Sequence, residues 1–350
     1  MQLSKAVLLA MILITTGCNK PDTDLVSGPY KLVVPSHFPP PDFETANPMT
    51  REGVALGRQL FYDVRLSGNN QVSCATCHDP AKAFTDGLAL SKNGVSGTTL
   101  LRHAPPLFNL AWAGNGLFWD GGSTNLESQA FGPLTAHDEM AQNLYQLVDE
   151  LNAAPNYAAD FRNAFEDGIT SQNVVKALAQ FQRSLISAGS RYDLYKLGHA
   201  AGHLTADELA GLQLVKQNCQ TCHAGELFTD QDYHNNGLDA NFENPDHEVI
   251  YWGRYRISYE PADIGKFKTP SLRNVGITAP YMHDGRLATL EAVLEHYSSG
   301  IQRSATLDPR LPGKGLNLSD LQKKQIIASL HSLTDQAFIQ NPGHQKPINQ

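Results

Sequence analysis

Two copies of the pattern Cys-x-x-Cys-His occur in this chain of 350 residues, at positions 74–78 (CATCH) and 219–223 (CQTCH). Two thiols separated by two residues reach the two vinyl groups of a haem and form thioethers with them, and the histidine that follows can ligate the iron. The pattern therefore predicts two covalently attached haem c groups. The attachment residues would be Cys74, Cys77, Cys219 and Cys222, and the iron ligands His78 and His223.

Other uses of paired cysteines account for less of the pattern. A zinc site built from two such pairs usually separates them by about 15–20 residues, whereas Cys74 and Cys219 are 145 residues apart. A thioredoxin-like redox pair expects a βαβ context, which the sequence does not suggest. Structural disulfides suit an exported chain but leave both histidines without a role. Two haems limit the function to electron transfer or redox catalysis.

A short amphipathic helix precedes each motif. Before the first, apolar and small residues recur at helical spacing after Thr50, namely Val54, Gly57, Leu60 and Phe61. Before the second, Thr205 and Glu208 form a capping box that opens a helix running to Cys219. This repeat predicts two similar domains, which we place at 48–190 and 200–340 with a linker over 187–202.

Two more helices are expected to close these domains. One covers 173–185, and the other begins at the capping box Ser319 and Gln322. No sustained period-2 alternation of apolar residues occurs, so we expect few strands. The predicted fold is mainly α, with two cytochrome c-like domains that each carry one covalently bound haem, joined and interrupted by long loops.

The N-terminus has the pattern of an export signal. Lys5 precedes nine apolar residues (6–14), which are too few to span a membrane, and Gly17-Cys18 resembles a bacterial lipobox. We therefore expect 1–17 to be a signal peptide, Cys18 to be a candidate lipid anchor, and the Pro-rich residues 18–47 to be a tether. The formal charge of −8, with 27 basic and 35 acidic residues, argues against nucleic acid as a partner.

Further motifs resemble those of the bacterial dihaem cytochrome c peroxidases and their MauG-type relatives, which oxidise tryptophan residues of partner proteins. The resemblance covers residues 48–338. Its motifs are GRQLFYD at 57–63, SCATCHDP at 73–80, FWDG at 118–121, Gly132-Pro133 with Glu139-Met140, KTPSLRNV at 268–275 and APYMHDG at 279–285.

The resemblance implies a role for each haem and for the residues around it. The first haem would bind peroxide, with Glu139 as distal acid/base and Gln129 and Pro133 in the distal pocket. The second haem would receive electrons, and Trp119 would relay them between the haems. Asn109, Thr278 and Pro280 match a calcium site. The simpler alternatives are a solvated Glu139 at the start of a helix over 138–151, and a Trp119 that merely fills the core.

The sixth ligand of the second haem divides this family, because peroxidases have Met and MauG-type enzymes have Tyr. Counting from Thr278-x-Pro280 places the ligand at Tyr297, and Met282 is the competitor as the only Met after His223. Conventional peroxidases also carry a histidine that blocks the first iron. Residues 81–101 contain no His, and His103 fits a structural role, so we expect the first haem to be open as isolated.

The sequence thus predicts a periplasmic enzyme that reduces hydrogen peroxide to water. Its electron donor would be a small c-type cytochrome or cupredoxin, and a basic donor would suit the negative net charge. The alternatives are a MauG-type enzyme that oxidises Trp or Tyr of a partner protein, and a passive dihaem electron carrier. Homodimers are usual among the relatives, although the sequence itself does not identify the oligomeric state.

Overall fold

The computed structural model describes residues 28–41, 46–243 and 251–348. The predicted signal peptide and Cys18 lie outside these ranges. The described chain is mainly helical with long loops, as predicted. Its helices are α1 (Arg51–Phe61), α2 (Cys74–Cys77), α3 (Leu126–Thr135), α4 (Leu144–Ala153), α5 (Tyr157–Ala164), α6 (Ser171–Ser184), α7 (Arg191–Lys196), α8 (Ala206–Asn218), α9 (Tyr255–Ser258), α10 (Leu290–Glu295), α11 (Asp320–His331) and α12 (Gln336–Ile339).

Shorter turns and one small sheet complete the described structure. Two-residue strands β1 (Tyr233–His234) and β2 (Phe267–Lys268) pair antiparallel, with Tyr233 opposite Lys268. A π-helical turn, His296–Gly300, continues α10. None of the helices in the described ranges combines the length and apolar character that a membrane span requires.

The first core forms where α1 crosses α6. Helix α1 begins at Thr50, whose hydroxyl accepts a hydrogen bond from the Gly53 N–H at 2.9 Å. At the crossing, a Cβ on Gly57 would lie 1.9 Å from the carbonyl oxygen of Ala177, so the contact requires glycine. The fully buried side chains around it include Leu60, Phe61, Phe161, Leu178 and Phe181.

The second core repeats this construction. Helices α8 and α11 cross each other, and a Cβ on Gly211 would lie 1.8 Å from the carbonyl oxygen of Gln325. Both predicted capping boxes are present, at Thr205 with Glu208 and at Ser319 with Gln322. In both units, the helix that precedes the motif therefore packs against a closing helix through the same kind of glycine contact.

Both ends of the described chain depart from the sequence predictions. Residues 28–41, expected to be part of a tether, lie against the body: Phe38 is buried beside Trp112, whose indole N–H donates to the Pro39 carbonyl at 2.7 Å. At the other end, Phe338 on α12 belongs to the first core. The sequence did not indicate these contacts because they join residues more than 70 positions apart.

The expected linker over 187–202 is also more structured than predicted, since it contains α7. Asp193 on this helix is fully buried and accepts two hydrogen bonds from Arg273, at 2.8 and 2.9 Å. His37 contacts the same carboxylate at 2.8 Å. Arg273 also lies over the Phe38 ring, 4.5 Å from its centroid. This cluster joins α7, the second core and the N-terminal segment.

Candidate functional site

The first motif is held by hydrogen bonds within a tight local structure. Cys74 and Cys77 lie at the two ends of α2, which Ser73 and Thr76 cap reciprocally. The Nδ1 of His78 is 2.7 Å from the carbonyl oxygen of Phe84. Because a carbonyl can only accept, Nδ1 must carry the proton, and Nε2 is the nitrogen that can ligate a metal. Burial lowers the pKa of His78, which favours the neutral form that ligates.

The histidine of the second motif is oriented in a similar way. The Nδ1 of His223 is 3.1 Å from the carbonyl oxygen of Pro270 and 3.3 Å from that of Phe228. The four described cysteines form no disulfide. Each motif thus offers two thiols and one oriented imidazole beside a cavity, and this set of groups fits covalent haem with a histidine ligand.

The predicted distal residues of the first motif lie in its cavity. Gln129 and Pro133 are both on α3, four residues apart and so on one face. They line a cavity together with Glu139, Cys74, Cys77 and His78. The sequence placed these residues together only through the family resemblance.

Glu139 does not begin a helix, contrary to the alternative considered above. Helix α4 starts at Leu144, six residues later than expected, because Ala141 has a φ of 47° and the Asn143 side chain caps the helix. Glu139 instead lies in a turn, where its N–H donates to the Ala136 carbonyl at 3.0 Å. Burial, aided by the negative charge of Asp138, raises the pKa of Glu139. A raised pKa brings a carboxyl closer to the range where it can both donate and accept a proton.

Backbone contacts hold this turn from two sides. The Val95 N–H donates to the Glu139 carbonyl at 2.7 Å, and the Gly68 N–H donates to the Met140 carbonyl at 2.8 Å. A Cβ on Gly94 would lie 1.9 Å from the carbonyl oxygen of Asp138. We call these contacts the acid-turn clasp. It fixes the backbone of the candidate acid, and no pattern in the sequence indicates it.

The second cavity is lined by Cys219, Cys222 and His223, and both candidate sixth ligands, Tyr297 and Met282, reach it. Burial raises the pKa of Tyr297 to about 12, although a hydrogen bond from Asn236 opposes this rise. Asn236 lines the same cavity and was not identified from the sequence. It lies in the loop that follows β1, where the sequence has no periodic pattern.

Trp119 lies between the two motifs. It lines the second cavity and also a middle cavity, which shares Gln129 and Leu107 with the first. Its indole N–H donates to the His103 carbonyl at 2.9 Å. His103 itself is buried, and its Nδ1 is 2.7 Å from the Leu88 carbonyl, an arrangement consistent with the structural role expected for it. The ring is half-buried and borders both the second and the middle cavity, and its role as a relay stays a prediction.

Lys268 adjoins Trp119 and was not assigned a role from the sequence. Its backbone N–H donates to the Trp119 carbonyl at 2.8 Å. Its ammonium donates to the carbonyls of Asn115 and Gln231, both at 2.8 Å. Burial lowers its pKa to about 8. A positive charge in this position would make oxidation of the neighbouring indole more difficult.

The three residues matched to calcium do not all line the same cavity. Thr278 and Pro280 line the second cavity, whereas Asn109 lines the middle one. The Asn109 side chain exchanges two hydrogen bonds with the backbone of Ser187, at 2.8 and 3.0 Å. Its oxygen therefore already accepts one hydrogen bond, and the calcium site remains a prediction.

Comparisons with known proteins agree on a family. A sequence model of the family described as di-haem cytochrome c peroxidase matches residues 51–201. The chain is 41% identical over 292 residues to the methylamine utilization protein MauG of Methylorubrum extorquens, covering 82% of this chain and 80% of that protein. It is 36% identical over 327 residues to the cytochrome-c peroxidase IdrP1 of Denitromonas iodatirespirans, covering 85% of each.

A solved MauG-like protein associated with microbial copper homeostasis superimposes with a TM-score of 0.83 at 34% identity, covering 91% of this chain and 99% of that one. The chain therefore belongs to the di-haem cytochrome c peroxidase family, which includes both MauG proteins and peroxidases.

Proposed function

We propose that this protein is a periplasmic dihaem c-type peroxidase that reduces hydrogen peroxide to two water molecules. Two electrons would come from a small c-type cytochrome or a cupredoxin, and two protons from solvent. The observation that carries the proposal is the common cavity of Glu139, Gln129 and Pro133 with Cys74, Cys77 and His78. A passive carrier has no need for a carboxyl with a raised pKa in that position.

The residues around the first cavity would have different roles in peroxide reduction. A haem held by Cys74, Cys77 and His78 would supply the iron that binds peroxide. Glu139 would accept the proton of the incoming peroxide and return it to the departing oxygen, which its raised pKa favours. Pro133 adds an apolar, non-donating surface to the same wall, and the Gln129 amide can hydrogen-bond to the bound oxidant.

The electron path would start at the second motif. His223 and one of Tyr297 and Met282 would ligate the second iron, and Trp119 offers an oxidisable ring between the two cavities. The export pattern of residues 1–17 supports the periplasmic location, with Cys18 as a lipid anchor. Calcium bound by Asn109, Thr278 and Pro280, and a homodimer, are further parts of the proposal that rest on the family resemblance.

The test is peroxide-dependent oxidation of reduced cytochrome c by the haem-loaded protein. Glu139→Gln should lower kcat by about 10²–10⁴-fold, since that is the usual contribution of one acid/base group. Glu166→Gln, at an exposed glutamate on the first domain, is the matched control and should retain activity. Full activity of Glu139→Gln would refute the assignment of the acid.

A MauG-type activity is the second candidate, and three observations favour it. Tyr297 reaches the second cavity, residues 81–101 lack a histidine that could block the first iron, and a MauG protein is 41% identical. If turnover with reduced cytochrome c is negligible but peroxide leads to oxidation of Trp or Tyr in an added protein, this candidate replaces the first. No reaction with peroxide, and a ferric spectrum with both haems low-spin, would leave the electron carrier.

A further inference from the structure

Asn236 contacts both candidate sixth ligands of the second haem. Its amide nitrogen is 3.3 Å from the Tyr297 hydroxyl oxygen and 3.3 Å from the Met282 sulfur. An asparagine amide carries two N–H donors, so it can serve both acceptors at once. The oxygen and the sulfur are therefore at most about 6.6 Å apart, given the two distances to one nitrogen. The two side chains occupy neighbouring positions, and one residue touches both.

The backbone of Asn236 is fixed. The Nε2 of His296 is 3.0 Å from the Asn236 carbonyl, to which it must donate. The next residue, Gly237, has a φ of 73°, and a Cβ there would lie 2.6 Å from the Ile301 side chain. The Gln302 N–H donates to the Gly237 carbonyl at 2.8 Å. The backbone that carries the amide is thus held by contacts at Asn236 and at Gly237.

Both candidate ligands are presented by unusual backbone. Tyr297 lies in the π-helical turn His296–Gly300, and such turns occur frequently at functional sites. Met282 has a φ of 76°, which is costly for a residue other than glycine and persists only where neighbouring contacts enforce it. The turn that carries Tyr297 also supplies His296, the residue that anchors Asn236. These features form one connected arrangement around the amide.

We propose that Asn236 is a positioning residue that selects Tyr297 over Met282 as the sixth ligand of the second haem. One N–H would donate to the Tyr297 oxygen and stabilise it as a ligand. The other would donate to the Met282 sulfur and keep it from ligating the iron. The preference has a physical cause, because a hydrogen bond to an oxygen bearing negative charge is about twice as strong as one between neutral groups, whereas a thioether is a weak acceptor. The inference rests on the proposed attachment of haem at Cys219, Cys222 and His223.

Asn236→Leu tests this proposal, since it keeps the shape of the side chain and removes both donors. Asn152→Leu is the control: Asn152 is exposed on α4, and its amide donates to the Val148 carbonyl at 2.8 Å within its own helix. The readouts are the near-infrared sulfur-to-iron band of the ferric protein and the midpoint potential of the second haem. Neither readout depends on turnover.

In Asn236→Leu we expect the sulfur band to appear and the potential to rise, because methionine ligation raises the potential. A tenfold weaker binding of the axial ligand to ferric iron, relative to ferrous iron, corresponds to a rise of about 59 mV for a one-electron couple. Asn152→Leu should change neither readout, and adding Met282→Leu to the Asn236 variant should abolish the new band. A wild-type ligand spectrum and potential in Asn236→Leu would overturn the proposal.

Asn236→Asp provides a second route if the leucine variant does not fold. Its carboxylate keeps the shape but cannot donate, so the same spectral change is expected. If both variants lose the second haem, the residue is only structural and the proposal is overturned. Failure of the proposed function is seen separately, since the wild-type protein would then lack two haems or not consume peroxide.

Discussion

The acid-turn clasp makes the position of Glu139 depend on a glycine in another loop. Gly94→Ala would place a Cβ 1.9 Å from the Asp138 oxygen and 3.1 Å from the Glu139 Cα, whereas ordinary contacts begin at 3.4 Å. The turn must then move by about 1.5 Å, the difference between 3.4 and 1.9 Å. This movement would also lengthen the 2.7 Å hydrogen bond from the Val95 N–H to Glu139.

A misplacement of about 1 Å can cost about 10²-fold in rate, or about 2.7 kcal/mol of transition-state stabilisation. We therefore expect Gly94→Ala to lower kcat for peroxide about 10²-fold while both haems remain bound, as measured by stopped-flow oxidation of reduced cytochrome c. Ser96→Ala removes a single 3.0 Å hydrogen bond to Asp138 and should cost far less. Gly114→Ala, where a Cβ meets no atom within 4 Å, is the control. Full activity in Gly94→Ala would refute the reasoning.

Three further predictions concern the rest of the molecule. Arg273→Met should lower the free energy of unfolding by about 3–5 kcal/mol, because it leaves the buried Asp193 carboxylate without its guanidinium partner. Urea titration measures this loss. Lys196→Met, at a half-exposed ion pair with Glu226, is the control and should lower the free energy of unfolding by less than about 1 kcal/mol. Burial opposes ionisation of Asp193, but hydrogen bonds and charge from Arg273 outweigh it and hold its pKa below the usual value. The contribution of this carboxylate to stability should therefore be complete above about pH 4 and be lost as the pH falls through the lowered pKa. Between pH 6 and pH 3, the urea midpoint of Arg273→Met should therefore fall less than that of the wild type. Replacing Cys219 and Cys222 together with serine should remove one haem, seen as a halved haem absorbance and a loss of one haem mass beyond that of the two substitutions, and a mass lowered by the substitutions alone would contradict the attachment site.

The sequence predicted local structure well because its signals are local. Capping boxes and helical spacing located α1, α8 and α11, and the two Cys-x-x-Cys-His motifs marked both cavities. Glu139, Gln129 and Pro133 were found only because their motifs resemble a family, since nothing in their spacing indicates a shared cavity. Chemical type and neighbouring residues were sufficient for these elements.

The remaining features depend on contacts between distant segments. The acid-turn clasp joins Gly94 to Asp138, and neither residue is distinctive in the sequence. Asn236 contacts Tyr297 only after folding brings together the loop that follows β1 and the π-helical turn, because the two residues are 61 positions apart in the sequence. The helix expected at 138 begins at Leu144 instead, because the clasped turn imposes a positive φ at Ala141. Tertiary packing decided each of these outcomes.

The return of the chain's end to the first core has a consequence for biogenesis. Phe338 contacts the Phe84 and Phe108 rings, and the Tyr62 hydroxyl donates to the His344 carbonyl at 2.5 Å. A nascent chain that has emerged only as far as α6 still lacks these aromatic partners. The half that is synthesised first must therefore wait for residues 338–344 before its hydrophobic interior is complete, and expressing the two halves separately would leave that interior open.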